Sequence, residues 1–368
     1  MLLGLLRLTT QTSTSLRFAQ DDTLDFCKAI FERTVSENKK DLRFKFFERG
    51  GGESFLLRKF SPQETNQKSN TKITTQTTKT SFGAIIMEIK GWKYYNHAAF
   101  PDLPPNEAPD LSVVESGEIW KLDGSPLLAR WVSDFDKLDG GDWWYVIKDT
   151  PFDISSLKAK RRYEINKGIK NFEVRAIEPC QYKEELYKIQ VAAFAAYPEK
   201  YRPTVEKESF IASIDTWQNQ AVLGAFLRES GELCGYAMLY TENDKYVDFR
   251  VLKADPSFER AGINAALCAG VMAHFDEFLK NGGILCDGAR AVSHETHFQD
   301  YLEKNFGFRK AYCKLCVAYS PKMKLIVKML YPFRKLLMKL DGNSKIHSVN
   351  GVLMMESIVR GEFSKNKK

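Results

Sequence analysis

An ordered series of strand and helix patterns between residues 220 and 320 limits the folds open to this chain. Three short apolar segments, VLGAFLR, LCGYAMLY and KYVDFRVL, are separated by the turn sequences ESGE and TEND. This spacing predicts an antiparallel meander. Asp255 and Pro256 then supply a cap and a first helical residue for FERAGINAALCAGVMAHFDEFL. Because that segment is apolar on nearly every side, we expect a buried helix.

The series continues after Gly282-Gly283 with a buried strand (ILCD, 284–287), a helix (HETHFQDYLEKN) and a last strand (RKAYCKLCVAY). Upstream, Asp153 or Ser155 caps a basic helix that is expected to stop near Gly168. FEVRAI then has the pattern of a strand and YKEELYKIQVAAFAAY that of an amphipathic helix. The whole order predicts an α/β domain with a mixed sheet.

The order of elements, ending in EKNFGFRK, resembles the GNAT acyltransferase domain. The stretch LKAKRRYEINKGIKNFEVR resembles the opening of the second lobe of Fem-type transferases, which are GNAT relatives. The resemblance covers residues 153–320 and implies a GNAT-like mixed sheet flanked by helices. An aromatic-rich α+β lobe (1–150), with a long mobile loop at 61–81, would precede it, and a basic amphipathic extension (321–368) would follow it.

The resemblance implies transfer of an acyl group, acetyl or aminoacyl, from an activated donor to an amine. The amine would belong to a small molecule, a sugar or a cell-envelope precursor, and a tRNA would be a partner only if the donor is aminoacyl-tRNA. Acyl-CoA, such as acetyl-CoA, is the donor that a GNAT domain implies. The unpaired N–H groups at a helix N-terminus suit its pyrophosphate. The residues expected to bind it are Arg260, Ala261, Gly262, Ile263 and Asn264.

The sequence departs from the GNAT pattern in two places, which leaves another acyl donor open. Glu259 stands where the pattern has Arg or Gln, and Asn264 stands where it has a small residue. The family also places a tyrosine four residues before the Gly of the Gly-Phe turn, where this chain has Glu303. The nearest tyrosine is Tyr301, six residues before Gly307.

Transfer to an amine needs a proton acceptor and a group that protonates the leaving atom. Glu303, Asp287 and Tyr301 are therefore the candidate catalytic residues, with His294 and Glu295 as further contributors. For each of them, a structural role on a helix surface or a strand end is the favoured interpretation from sequence alone.

The basic run around 158–170 has three open interpretations: a solvated face, a contact to nucleic acid, or a contact to substrate. Most of its charges are expected in water. Lys158, Arg161 and Arg162 are the candidate contacts to an anionic donor or acceptor, because arginine suits bidentate phosphate binding.

A second basic region, 322–340, holds six Lys or Arg and no acid. Leu325, Met329, Leu336 and Leu340 are spaced to share an apolar stripe, although Pro332 must kink or split the helix. This pattern fits an anionic membrane surface and equally an appended helix that packs on the domain.

Metal binding is not expected. The seven cysteines sit mostly in apolar stretches, and the Cys313-Lys-Leu-Cys316 pair would point to opposite faces of a strand. His294 and His297 lack the spacing of a zinc motif. The N-terminal MLLGLLRLTTQTSTS is too short in its apolar run to span a bilayer, so we expect a cytoplasmic protein, peripheral at the inner membrane face if 322–340 binds lipid.

A different class of function also fits the sequence. A non-catalytic protein with the same fold would bind an anionic surface or a partner through its basic helices and its tryptophan-rich lobe. The degenerate phosphate loop favours this alternative.

Overall fold

The computed structural model describes residues 77–79, 85–122, 124–197, 202–217, 220–291, 297–340 and 344–363. Within these residues, one mixed sheet joins strands in the order β1-β2-β3-β4-β5-β12-β6-β11-β10-β9-β8-β7. The strands are β1 (Thr77–Lys79), β2 (Ile85–Ile89), β3 (Trp92–Tyr95), β4 (Ala98–Pro101), β5 (Leu128–Leu138), β6 (Trp144–Lys148), β7 (Phe172–Ala176), β8 (Gln220–Leu227), β9 (Leu233–Asn243), β10 (Tyr246–Ala254), β11 (Ile284–Ala289) and β12 (Arg309–Tyr319).

Helices flank this sheet, which confirms the predicted fold class. They are α1 (Ser112–Glu115), α2 (Ala159–Asn171), α3 (Lys183–Ala195), α4 (Lys207–Ile214), α5 (Ile263–His274), α6 (Asp276–Lys280), α7 (His297–Phe306), α8 (Pro321–Leu330), α9 (Arg334–Met338) and α10 (Ser344–Val359).

The helices form layers on the two faces of the sheet. On one face, α2, α5 and α7 share a buried core to which each contributes an apolar side chain, Ile165, Ile263 and Leu302. On the other face, α3 and α4 cover the meander strands β8 and β9. The C-terminal helices α8, α9 and α10 pack on β5 and β12.

The expected succession of meander, helix, parallel strand, helix and strand is present. Strands β8, β9 and β10 pair antiparallel, and β10 then pairs parallel with β11 after the crossover through α5. A strand from earlier in the chain, β6, lies between β11 and β12 and pairs antiparallel with both. Strands from before and after residue 153, the predicted domain boundary, therefore belong to one sheet. The division into the predicted domains stays a prediction.

The long apolar helix expected after Asp255 is divided in the structure. A 3₁₀ helix, Pro256–Ala261, precedes α5, and α6 follows it. Asp255 caps the 3₁₀ helix by accepting a hydrogen bond from the Ser257 amide at 2.9 Å. Gly262 takes φ = 91°, a left-handed value that favours glycine, and this turn starts α5.

The expectation that the basic helix ends near Gly168 was wrong. Helix α2 continues to Asn171, and Gly168 lies inside it. A Cβ placed on Gly168 would come 2.5 Å from the carbonyl oxygen of Gly262 and 2.9 Å from the amide nitrogen of Ala266. The glycine therefore serves close backbone packing between α2 and α5 rather than helix termination.

Pro332 does split the 322–340 segment, as predicted. Helix α8 ends at Leu330, the 3₁₀ helix Tyr331–Phe333 turns the chain, and α9 follows. Among the described residues, no helix is both long and apolar enough to cross a bilayer. The part of the predicted loop at 61–76 and the residues His294 and Glu295 fall outside the described residues, whereas Thr77–Lys79, within the predicted loop, is strand β1.

The α2–α5 contact leads to a test of stability. We expect Gly168→Ala to lower the free energy of unfolding by about 1–3 kcal/mol, because overpacking outweighs a helix-propensity gain of about 1 kcal/mol. Gly351 inside α10 is the matched control, since a Cβ there meets no atom within 4 Å. Gly351→Ala should raise the free energy of unfolding by about 0.5–1 kcal/mol. Urea denaturation measures both; a neutral Gly168→Ala would contradict the proposed packing.

Candidate functional site

The two central parallel strands stop pairing partway along their length. Pairing between β10 and β11 covers Tyr246–Asp248 and Ile284–Cys286. Beyond this point β10 continues to Ala254, still paired with β9, and β11 continues to Ala289. The second half of β10 therefore presents backbone N–H and C=O groups toward β11 that the β10–β11 ladder does not use.

The first turn of α5 lies beside this unpaired edge and is covered on one flank by α2. Lys167 Nζ donates to the carbonyl of Arg260 at 2.7 Å, and Asn171 Nδ2 donates to the carbonyl of Ala261 at 2.8 Å. Ile263 is fully buried. The Oδ1 atom of Asn264 is buried and has no hydrogen-bond donor among the described residues.

These contacts do not fit the pyrophosphate of acyl-CoA well. The Gly168 backbone leaves no room even for a methyl group against the first turn of α5. The buried Oδ1 of Asn264 is a hydrogen-bond acceptor, and Glu259 is an exposed acidic residue. Neither attracts phosphate. Acyl-CoA as the donor and the roles of Arg260–Asn264 stay predictions.

Two of the three predicted substrate contacts are engaged within the protein. Arg161 donates to Oδ1 of Asn305 on α7. Arg162 donates to the carbonyls of Ser155 and Leu157, at 3.1 and 2.8 Å, and so secures the entry into α2. Lys158 is exposed at the N-cap of α2. Their roles in substrate binding stay predictions.

The three predicted catalytic residues lie on two elements, α7 and β11, and Tyr301 and Asp287 are both within electrostatic reach of the Cys268 thiol on α5. Tyr301 on α7 is packed between α2 and α5, and its burial raises the pKa of its hydroxyl above the ordinary value. Glu303 lies two residues along α7 and forms an ion pair with Lys310 on β12 at 3.6 Å. Asp287 follows the paired part of β11. All three stay predictions as catalytic groups.

A lysine that the sequence analysis did not single out lies on the half of β10 that does not pair with β11. Lys253 is largely buried, with its ammonium nitrogen 4.5 Å from the ring centroid of Phe194 and 5.5 Å from that of Tyr197. Its one hydrogen bond is a long one, 3.5 Å to the Tyr197 hydroxyl. No carboxylate among the described residues pairs with it, and burial lowers its pKa to about 8.

Next along the same face lies a compact group of charges from β9 and β10. Arg250 pairs with Asp248 at 3.0 Å and with Glu242 at 2.9 Å, and its guanidinium carbon lies 3.8 Å from the ring centroid of Tyr240. Burial raises the pKa of Glu242, and Arg250 opposes that rise. Within the described residues, no group of three or more His, Cys, Asp or Glu side chains is arranged to hold a metal ion.

A cleft of about 100 Å³ opens further along the sheet, between β5, β6 and the loop after β4. Arg130 lines it, half-buried, with its guanidinium carbon 4.8 Å from the Phe100 ring and 5.5 Å from the Trp143 ring. Its polar contact is the Met355 sulfur at 3.8 Å, and burial lowers its pKa. The cleft is lined by Phe100, Pro101, Leu103, Pro104, Pro105, Glu107, Pro109, Arg130, Trp131, Val132, Trp143 and Tyr145.

Trp143 lines the same cleft as Arg130, and its indole N–H has no hydrogen-bond partner among the described residues. Its side chain is 2% exposed, and its indole N–H is buried without an acceptor among the described residues. Tyr145 lies between the cleft and the charged group on β10, since both Arg130 and Asp248 act on its pKa, which burial raises. Lys253, Arg250, Tyr145 and Arg130 therefore mark a polar path along the face opposite α5.

The tryptophans of the N-terminal lobe contribute both to the cleft and to the core. Trp143 and Trp131 line the cleft, whereas Trp92 is completely buried. Lys253 was missed because a single lysine in KYVDFRVLKA carries no signal in a strand pattern. The alternation of that strand gave the only hint, since Lys253 shares a face with Val251, two residues earlier.

Comparisons with known proteins return structural likeness alone. No protein-family model and no curated protein matches the chain. The structure of L-PGS from Bacillus licheniformis is 12% identical over 71% of this chain and 88% of that one, with a TM-score of 0.41. The C-terminal DUF2156 domain described as a lysylphosphatidylglycerol synthetase from Agrobacterium fabrum is 13% identical over 69% and 87%, with a TM-score of 0.40.

A tandem GNAT protein from the clavulanic acid biosynthesis pathway is 11% identical over 64% of this chain and 80% of that one, with a TM-score of 0.36. These values are too low to transfer an activity or the role of any residue. The Fem-type branch of the resemblance stays a prediction.

The environment of Lys253 predicts a pH dependence of stability. Its pKa of about 8 in the folded chain lies below the ordinary value of 10.5, so the unfolded chain binds more protons between these two values. Stability therefore rises with pH across that window, by at most about 3 kcal/mol, and the penalty is fully present below pH 8. Lys253→Met should abolish the rise, whereas Lys160→Met, at an exposed site, should retain it. Urea titrations at pH 7.5, 9 and 10.5 measure the difference, and equal slopes in all three proteins would contradict the burial of an unpaired amine.

Proposed function

We propose that this protein is a GNAT-like acyltransferase that moves an acyl or aminoacyl group from an activated donor to an amine. The observation that supports this most is the end of β10–β11 pairing at Asp248 and Cys286, which leaves strand-edge N–H groups beside the start of α5. Preorganised N–H groups of this kind polarise an acyl carbonyl and stabilise the oxyanion that forms on attack.

Lys253 is the group best suited to act as the base. With a pKa of about 8, roughly a tenth of its side chains carry the neutral amine at pH 7, far more than for an ordinary lysine. The acceptor nitrogen attacks the acyl carbon and forms the new C–N bond. The proton lost by that nitrogen passes to the Lys253 amine. The bond to the leaving oxygen or sulfur then breaks, and the lysine ammonium or solvent protonates the leaving atom.

The acceptor or donor is proposed to carry an anionic group that lies in the Arg130 cleft. Arg130 has no carboxylate partner among the described residues, and a cation kept partly out of water is costly unless an anion joins it. The neighbouring aromatic rings would pack on an apolar or sugar portion of the same molecule. A sugar or envelope precursor with a phosphate or carboxylate meets both requirements.

A non-catalytic binding protein is the second candidate, and one specific observation favours it. The first turn of α5 is covered by α2, and Arg161 and Arg162 are used in contacts within the chain. A fold that has lost its donor site in this way would keep the Arg130 cleft as a binding site.

A ligand screen separates the two candidates. Acetyl-CoA, free CoA, aminoacyl esters and aminoacyl-tRNA are each tested in a thermal-shift experiment. A donor present at a hundred times its dissociation constant should stabilise the fold by about 3 kcal/mol. We expect a shift with an aminoacyl donor. The absence of a shift with every donor would favour the binding protein, and a shift that disappears in added salt would indicate only nonspecific charge attraction.

Substitution of Lys253 tests its role once a donor is identified. We expect Lys253→Met to lower kcat by about 10²–10⁴-fold, because general-base catalysis contributes on this scale. The rise of the rate with pH through about 8 should disappear while the donor-induced thermal shift remains. Arg130→Gln should instead raise the KM of the anionic substrate and leave the pH profile unchanged. An unchanged kcat in Lys253→Met would remove the lysine from the mechanism.

A further inference from the structure

We propose that helices α8 and α9 form a docking surface for an anionic lipid bilayer. The inference rests on the distribution of exposed apolar side chains and is independent of the proposed transfer reaction. Twelve large apolar or tyrosine side chains are exposed among the described residues, and six of them lie between residues 325 and 340. Half of the exposed apolar groups thus occupy one short segment.

The segment has two apolar sides, of which only one is covered. Met323, Ile326, Val327, Tyr331 and Leu337 are buried against β5, β12 and α10. The side facing away from that core is made of Leu325, Met329, Phe333, Leu336, Met338 and Leu340, which are 57%, 44%, 59%, 51%, 46% and 38% exposed. We call these six residues, with the lysines between them, the outer surface of α8 and α9.

The exposed apolar residues are spaced by one helical turn on each side of Pro332. Leu325 and Met329 are four residues apart on α8 and lie on the same side of the helix. Leu336 and Leu340 repeat that spacing after the turn at Pro332, and Phe333 stands at the turn itself. The four apolar residues predicted from the sequence are therefore all exposed, as one pair on each side of the turn.

The charges of the outer surface have a single sign. Lys324, Lys328, Lys335 and Lys339 are all exposed, and the segment 321–340 contains no acid. Arg334, in the same segment, pairs with Glu362 at 2.8 Å. An array of lysines around leucine and phenylalanine attracts anionic headgroups while the apolar side chains enter the acyl boundary.

The composition favours a bilayer over a protein partner. Lysine is depleted at the centre of protein–protein interfaces, where its charge must lose water. Here lysines flank the apolar stripe along its whole length, and their long side chains can reach headgroup phosphates while the stripe is buried. A lipid surface satisfies both groups at once without a matching acidic partner.

Vesicle co-sedimentation of the full chain tests the proposal. The probes are phosphatidylcholine vesicles with and without 30% phosphatidylglycerol, at low and at high salt. We expect binding to the anionic vesicles, weaker binding at high salt, and little binding to phosphatidylcholine alone. Lys324→Gln/Lys328→Gln/Lys335→Gln should weaken binding by about 100-fold, since each lysine near an anionic surface contributes on the order of a factor of five.

Matched controls separate this surface from general charge and apolarity. Lys160→Gln/Lys170→Gln/Lys188→Gln removes three exposed lysines elsewhere and should leave binding within about twofold. Leu325→Gln/Met329→Gln/Phe333→Gln should abolish binding, whereas Ile169→Gln/Val191→Gln, at 43% and 40% exposed sites, should not.

Three results would overturn the proposal. They are equal binding to neutral and anionic vesicles, equal weakening by the two lysine triples, and a concentration-dependent dimer that Leu325→Gln/Met329→Gln/Phe333→Gln dissolves. The last result would assign the surface to a second copy of the chain. Circular dichroism and thermal melting verify that each variant is folded before it is compared.

Discussion

The close approach of helices α2 and α5 organises the rest of the molecule. It depends on two glycines, Gly168 inside α2 and Gly262 at the start of α5, whose backbones come together without side chains between them. This contact fixes α2 across the first turn of α5 and positions Arg161 to reach Asn305 on α7. Three helices are thereby joined over one face of the sheet. The same contact brings Lys167 and Asn171 of α2 to the carbonyls of Arg260 and Ala261 just before α5.

The opposite face of the sheet holds cations that have no carboxylate partner among the described residues. Lys253 and Arg130 are cations held partly out of water without a carboxylate partner among the described residues, and Trp143 keeps a buried indole N–H without an acceptor. Such groups cost stability, and proteins commonly accept that cost at sites that bind or react. Between them lies Arg250, whose charge is neutralised by two carboxylates, those of Asp248 and Glu242. The contrast between paired and unpaired cations on one face is the basis of the proposed site.

The sequence left two interpretations of the C-terminal segment open, packing on the domain and contact with a membrane surface. The fold of the helices is compatible with both. The segment 322–340 packs on the domain, and it also presents an apolar stripe with lysines to the outside. Packing and exposure are compatible because the segment has apolar residues on two sides of each helix. A simple amphipathic helix has one apolar side and must choose between a core and an external surface.

The sequence by itself determined the local elements and their order. Period-two patterns bounded by turn residues placed the meander, and the apolar run after Asp255 identified the buried helix, because local periodicity reports which face meets the core. Pro332 likewise split its helix, since proline removes a backbone donor wherever it stands. Glycine was ambiguous: Gly168 looked like a helix end and proved to be a packing contact. A sequence pattern cannot tell these apart, because the difference lies in another segment 94 residues away, at Gly262.

Only the tertiary structure decided which charged residues stay without partners. Arg161 and Arg162 looked available along the chain, but Asn305 and two carbonyls occupy them. Lys253 carried no signal, yet the fold places its amine among aromatic rings. Partners and desolvation come from segments distant in sequence, and these set the energy of a charge far more than its immediate neighbours do. The elements could therefore be predicted from the chain, whereas the candidate site required the fold.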